Sequence, residues 1–285
     1  MKKKTVKRAK PTAPSGRYAV GFVGGGNMAT ALIGGFLEAG ICKPAEVCAS
    51  DVDAAKLRAL KRKFGIATTA DNRELVARSK VVLLAVKPQL AGTVLEGIRD
   101  VATAKQVFVS ILAGTPTARL EAGLCPAARV VRVMPNTPAL LGKGMAVAVR
   151  GRHATPADER LTLRLMRAVG RARAVADEAL MDAVTGLSGS GPAYVYRFAE
   201  ALIAGGVAAG LAPEVSRELA LQTISGAAAM LQESGETPER LREMVTSPGG
   251  TTLAGLTELQ ERGFFEAVEA AVVRAKNRSI ELGRG

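Results

Sequence analysis

The sequence is short of the side chains that most enzymes use to move protons. Its 285 residues include one histidine, His153 in the loop-like stretch GRHATP, and no lysine lies between Lys143 and Lys276. Acid–base catalysis by lysine or histidine is thereby excluded from the C-terminal part of the chain up to its last helix. That counts against hydroxy-acid dehydrogenases, which need such a group to take the alcohol proton. Cys42, Cys48 and Cys125 are an odd, scattered set without metal spacing and read as reduced thiols of a cytoplasmic protein. No Cys/His pair, paired-carboxylate motif or metal cluster stands out. An uninterrupted apolar run of about 18 residues, the minimum for a membrane helix, is also missing. The best candidate, near 201–212, follows Glu200 and carries Gly205, Gly206 and Gly210.

What is present is a globular composition, 48% hydrophobic and 23% charged, in a length suited to one large or two ordinary domains. The net charge of +13 is unevenly placed: the opening MKKKTVKRAKPTAPSGR holds seven Lys or Arg and no acid. Residues 1–17 cannot bury a core and lack the apolar segment of a signal peptide, so they read as a disordered basic tail. A polyanion contact is the alternative to a merely solvated tail. With no aromatic-rich RNA-binding signature or helix-turn-helix pattern, the solvated tail is favoured and nucleic acid is not expected as a partner.

From Tyr18 the pattern changes. YAVGFVG is a short apolar run, and NMATALIGGFLEAG then has helical spacing through Ala31, Leu32, Phe36 and Leu37, closing at Gly40. EVCAS reads as a second strand and AAKLRALKRKFG as a basic amphipathic helix closing at Gly65. VVLLAV (Val81 to Val86) is too short for a helix and too continuous for a half-exposed strand, which suits a parallel strand buried on both faces. QVFVSIL and ARVVRVM repeat the theme; PADERLTLRLMRAVG is a helix and RARAVA a last short strand. From about Asp177 only helices follow, with Thr237 as an expected N-cap and Pro238 in the first turn. The expected fold is therefore α/β: an N-terminal Rossmann domain with a doubly wound parallel sheet over 18–176, then an all-α domain over 177–285. The Ala- and Gly-rich helical part would bury little by itself, which favours an intersubunit interface and a dimer.

Gly24-Gly25-Gly26-Asn27-Met28-Ala29 is a G-x-G-x-x-A fingerprint that follows a strand, opens a helix and begins a βαβ unit. That context marks dinucleotide binding: glycines for the turn and for close approach to a pyrophosphate, and helix N-terminal amides for its charge. Asp51 ends the second strand, where an acid hydrogen-bonds the 2′-hydroxyl of NAD and repels the 2′-phosphate of NADP. This inclines toward NADH; Lys56, Arg58 and Arg62 could offset a phosphate or form only a solvated face, so NADPH stays open. AVKPQ (Ala85 to Gln89) and MPNTP (Met134 to Pro138) leave later strand ends, where ligands bind in open parallel sheets. Ala85, Val86, Lys87, Pro88 and Pro135 join the cofactor site on that ground.

An imine is a hydride acceptor that suits the poverty of proton donors. Protonated in solution, it arrives as an iminium cation and needs only positioning, a hydrogen-bonding hydroxyl and a place for a substrate carboxylate. VTSPGGTT (Val245 to Thr252) offers glycines, two threonine hydroxyls and the unpaired amides of a helix start near Thr251. An ordinary interhelical turn with Ser or Thr capping explains the fragment equally well. Tyr194 and Tyr196 are further hydroxyl donors.

Together GFVGGGNMA, AVKP, MPNTPA, GLSGSGPAYVY (Gly186 to Tyr196) and MVTSPGGTT resemble pyrroline-5-carboxylate reductases, over essentially the whole chain from Tyr18. MPNTP, SGSGPAY and SPGGTT in this order are the specific part. The resemblance implies NADPH- or NADH-dependent reduction of 1-pyrroline-5-carboxylate to L-proline by a homodimer whose helical domains interlock, and which in the family can assemble into decamers. It implies that Val23, Gly24, Gly25, Gly26, Asn27, Met28, Asn72 and Ala85 to Pro88 bind the dinucleotide. It also implies that the loop with Ser247, Gly249, Gly250, Thr251 and Thr252 holds the substrate carboxylate through backbone amides, near a neighbouring subunit. Thr252 matches the threonine that hydrogen-bonds the ring nitrogen. The basic tail, Thr237 and Asp51 depart from the family pattern, and Asp51 bears on the cofactor. Two other readings are an oxidoreductase acting on another cyclic imine or a β-hydroxy acid, and a dinucleotide-sensing or polyanion-binding protein using the tail.

Overall fold

A computed structural model describes residues 17–284; the expected basic tail, apart from Arg17, lies outside the described residues. Strand and helix alternate from the start: β1 (Tyr18–Val23), α1 (Asn27–Glu38), β2 (Val47–Ser50), α2 (Ala54–Phe64), β3 (Ala67–Thr69), α3 (Asn72–Arg78), β4 (Ser79–Leu84), α4 (Ala91–Ile98), β5 (Val107–Ser110), α5 (Thr117–Gly123) and β6 (Arg129–Pro135). Then come β7 (Gly144–Arg150), α6 (Pro156–Arg167) and β8 (Gly170–Ala174), after which there are helices alone. These are α7 (Leu180–Val184), a π-helical turn (Thr185–Gly189), α8 (Gly191–Ala208), α9 (Pro213–Glu233), α10 (Pro238–Met244), α11 (Thr251–Glu261) and α12 (Phe264–Arg284). The strand order is β3-β2-β1-β4-β5-β6-β7-β8. β1 runs parallel to both β2 and β4, so the chain winds outward to β3 and then crosses back to the other side of β1. A doubly wound sheet binds ligands at such a reversal. β3 and β7 were not expected: β3 has three residues and no buried position, and β7 is built on small side chains (GMAVAVR), so neither carries a strong apolar signal.

By compactness the chain divides into two units. The first holds the described residues through Leu112 together with Thr117–Arg132 and Arg150–Ala168; the second holds Ala113–Pro116, Val133–Val149 and everything from Val169 onward. In the first unit Val82, Leu83 and Leu84 of β4 are sealed from solvent, as a parallel strand covered on both faces requires. Phe22 of β1 and Phe36 of α1 meet with ring centroids 5.8 Å apart, pinning the first helix to the sheet. α2 starts on Asp53, whose carboxylate accepts the N–H groups of Ala55 and Lys56, and ends on Gly65, whose φ of 68° provides the left-handed cap.

The second unit is helical after 177, as the loss of strand-like runs predicts. Pro192 enters the first turn of α8, and Thr237 caps α10 by accepting the N–H of Arg240. Small residues do bring its helices together: a side chain on Gly206 would collide with Ser216, and one on Gly186 with the α12 backbone at Val272. Yet none of α8's residues is buried, and Tyr196, Leu219, Leu231, Val245 and Phe265 are all exposed, Phe265 by 74%. So much uncovered apolar surface is characteristic of an association face. No described helix is long and apolar enough to cross a membrane.

Arg129 and Asp158 brace the first unit from inside. Arg129 donates to one Asp158 oxygen at 2.9 Å and to the carbonyls of Ala104 and Lys105, while the other Asp158 oxygen closes the α6 capping box with Thr155. Asp158 is only 4% exposed. Asp158→Ala is expected to destabilise the protein by about 2 kcal/mol, because it removes the capping box of α6 together with the carboxylate partner of Arg129. Urea unfolding at fixed protein concentration measures this; a change under about 0.5 kcal/mol, the range of ordinary surface substitutions, would contradict it.

Candidate active site

The glycine turn is shaped by what surrounds it. The Gly24 N–H donates to Ser50 O at 2.8 Å, and the Ala85 N–H donates to Val23 O at 2.8 Å, so the ends of β1, β2 and β4 are laced together. Gly24 has φ 106°, and a Cβ there would stand 2.6 Å from Ala85 O. Only glycine satisfies both demands. Gly26 is different: it is the N-cap of α1, and a Cβ there would meet nothing within 4 Å. Glycine at this point is not needed for packing; it leaves open the space above the helix start. No side chain caps α1, and its first turn carries no acid, so the N–H groups of Asn27, Met28 and Ala29 keep their partial positive charge. An open glycine cradle over uncapped amides fits a dinucleotide pyrophosphate.

Asp51 belongs to this turn. One carboxylate oxygen accepts the Gly25 N–H at 2.8 Å and lies 3.7 Å from Lys56 Nζ; the other accepts the Asp53 N–H at 2.9 Å. Its side chain is 10% exposed. Burial alone would raise its pKa, but the N–H groups of Asp53 and Gly25, then Lys56, outweigh burial and hold it below the ordinary carboxylate value. Its support of the turn is therefore present at neutral pH and fades only as acid titrates through that lowered pKa. Asn72, the first residue of α3, has its Oδ1 fixed by the Ser50 hydroxyl at 2.7 Å, which leaves its Nδ2 donor unused. Ala85 and Val86 are half-buried just past β4, and Lys87 and Pro88 are exposed in the turn beyond. The cysteines take no part: Cys42 and Cys48 are buried, and burial pushes the Cys48 thiol up to about 11.

The two glycines separate folding from binding. Gly24→Ala should lower thermal stability and abolish NADP⁺ binding together. Gly26→Ala should stay within about 1 kcal/mol of the parent, the scale of an N-cap change, while weakening NADP⁺ by about tenfold. Melting curves and calorimetric titration of both variants check this; equal effects of the two substitutions would contradict it.

The second unit presents a different surface. Ser247-Pro248-Gly249-Gly250 is a β-turn closed by Gly250 N–H to Ser247 O at 3.0 Å, with proline second and Gly249 third at φ 69°, which makes it type II. Gly250 is then the N-cap of α11, and no side chain caps that helix. The Ser or Thr capping that an ordinary turn would use is not made. Among the described residues, the hydroxyls of Ser247, Thr251 and Thr252 have no hydrogen-bond partner. All three residues are exposed, beside exposed Met244 and Val245. Of the other hydroxyls considered, Tyr194 is spent on structure: it lies 3.1 Å from Gly186 O and 3.4 Å from Ala271 O, tying the π-helical turn to α12. His153 is exposed in its loop.

Two residues escaped the sequence reading. Asn136, just after Pro135, accepts the Met145 N–H on Oδ1 at 2.8 Å, and its Nδ2 lies 3.2 Å from Ser188 O, so it joins MPNTP to SGSGPAY. An asparagine directly before Thr-Pro at a strand end was the available signal. Lys63 lies seven residues after Lys56 on α2 and shares a small cavity with it beside Gly25; helical spacing alone could have paired them.

Residues 178–282 match the family profile described as pyrroline-5-carboxylate reductase dimerisation, and residues 19–114 match one described as NADP oxidoreductase, coenzyme F420-dependent. The pyrroline-5-carboxylate reductase of Methanosarcina acetivorans is 43% identical over 265 residues, covering 93% of this chain and 98% of that protein. The solved pyrroline-5-carboxylate reductase of Coxiella burnetii superposes with TM-score 0.86 at 36% identity, over 93% of this chain and 98% of that one. The Plasmodium falciparum pyrroline carboxylate reductase with NADP bound superposes with TM-score 0.84 at 33% identity, over the same shares of the two chains. Glycine cradle, uncapped SPGGTT helix and full-length similarity agree, and the chain belongs to the pyrroline-5-carboxylate reductase family.

Proposed function

We propose that the protein reduces 1-pyrroline-5-carboxylate to L-proline with NADPH or NADH as hydride donor. The observation that carries this reading is the start of α11, where uncapped amides and free hydroxyls lie together in a chain that belongs to the reductase family. The N–H groups of Thr251, Thr252 and Leu253 precede the first intrahelical bond, Ala254 N–H to Gly250 O, and are available to a carboxylate. Ser247 and the turn through Gly249 and Gly250 hold the chain in the shape that exposes them. Thr252 Oγ1 accepts a hydrogen bond from the N–H of the iminium ring and fixes its orientation. Because the imine brings its own proton, reduction needs no protein acid, which accounts for the dearth of lysine and histidine.

The glycine turn, Asn27, Met28, Asp51, Asn72 and Ala85 to Pro88 make up the dinucleotide site in this reading. When bound, the nicotinamide supplies the hydride; the chain supplies position and the uncapped amides of α1. The exposed apolar face of the helical unit supports a homodimer, in which a neighbour covers Met244 and Val245 beside the substrate loop. Further assembly into decamers and a cytoplasmic location complete the proposal, with neither membrane nor nucleic acid as partner.

Nicotinamide absorbance should fall when the purified protein meets NADPH or NADH and synthetic 1-pyrroline-5-carboxylate, and proline should form in equal amount. Lack of turnover with both cofactors would overturn the proposal. Thr252→Ala should lower kcat/KM for the pyrroline by about 10- to 100-fold, the loss of one hydrogen bond to a charged group, with NADP⁺ affinity unchanged. Parent-like kinetics would remove Thr252 from the mechanism.

A further inference from the structure

A cavity of about 220 Å³ opens beside the glycine turn, with Gly25, Gly26 and Asn27 on one side and Lys56, Leu60 and Lys63 on the other. The turn can lie this close to α2 because Gly25 has no side chain; a Cβ there would stand 3.0 Å from Leu60 Cδ1. Lys56 and Lys63 are seven residues apart, two turns along the same face of the helix. Lys56 is paired with Asp51 at 3.7 Å, a contact long enough to be exchanged. Lys63 has no carboxylate partner among the described residues, its ammonium resting 5.0 Å from the Phe64 ring centroid. Asp51, the acid expected to repel a 2′-phosphate, already accepts a backbone N–H on each of its oxygens and faces Lys56. Two cations against one committed anion leave an excess positive charge in a concave, partly enclosed space, where a field acts on a ligand more strongly than in open solvent.

We propose that Lys56 and Lys63 form a subsite for the 2′-phosphate of NADPH, and that Asp51 braces the glycine turn. The proposal rests on the dinucleotide reading of that turn. It assigns the phosphate to these two lysines and excludes the rest of the basic helix: Lys61 and Arg62 do not line the cavity.

Calorimetry on the full-length protein at fixed salt tests it, with adenosine 2′,5′-bisphosphate and adenosine 5′-monophosphate as probes. Lys56→Ala/Lys63→Ala should lose about tenfold or more in affinity for the bisphosphate and less than about twofold for the monophosphate, the pattern of losing contacts to one phosphate. Lys61→Ala should change neither. In steady state, KM for NADPH should rise with kcat unchanged, while KM for NADH stays as it was. Equal losses for the two probes, no loss for either, or a loss matched by Lys61→Ala would overturn the subsite. Absence of pyrroline turnover alongside the discriminating binding pattern would sink the reductase reading and leave the subsite standing. If neither probe binds the parent protein, the subsite and the dinucleotide reading fall together.

Discussion

The close approach of β1 to β4 at Gly24 is the constraint on which the cofactor side of the molecule depends. A backbone with φ 106° and a carbonyl 2.6 Å from where a Cβ would stand admits no other residue. Ordering this turn sets the start of α1, whose uncapped amides then point into free space above Gly26. It also sets the Gly25 N–H that Asp51 accepts, and through Asp51 the position of Lys56. A single missing side chain thus organises the glycine turn, the Asp51 brace beneath it and the charged cavity beside it. The parallel pairing of β1 with both β2 and β4 is what makes such a point available.

The helical unit solves a different problem with similar means. At the start of α11 a type II turn presents amides and hydroxyls that nothing in the described chain satisfies. Unpaired polar groups at a helix start are ordinary on a wet surface, but here they stand beside exposed Met244 and Val245 on a face rich in uncovered apolar residues. Polar groups left for a small anion and apolar groups left for a partner are what an enzyme assembled from more than one chain would show. Asn136 and Tyr194 do the supporting work in this unit. The one ties two loops together, and the other fastens the π-helical turn, each by a hydrogen bond to a backbone carbonyl of that turn.

Much of this was legible in the residues. Continuous apolar runs announced the buried strands, Gly65 and Thr237 marked helix ends where the chain does turn or cap, and the expected end of strand-like runs at about Asp177 falls just past the last strand, which stops at Ala174. The strands that escaped are β3, three residues long with no buried position, and β7, whose buried positions are filled mostly by alanine and valine (GMAVAVR), so neither leaves a strong mark on local pattern. At the site, residue types were legible and their commitments were not. Asp51 stood out as an acid at a strand end, but that it braces Gly25 depends on a contact across 26 residues. Tyr194 stood out as a possible donor, yet its hydroxyl is held by carbonyls 8 and 77 residues away. Long-range hydrogen bonds of this kind follow from the tertiary fold and have no local signature.

Hydride passes directly from the nicotinamide to the imine carbon of 1-pyrroline-5-carboxylate. Isotope tracing tests it most directly: reduce unlabelled 1-pyrroline-5-carboxylate with nicotinamide cofactor deuterated at the transferable position, and locate the label in proline by NMR. One deuterium per proline is expected, on the ring carbon bonded to nitrogen that does not bear the carboxylate. Deuterium at any other carbon, or its loss to solvent, would contradict it.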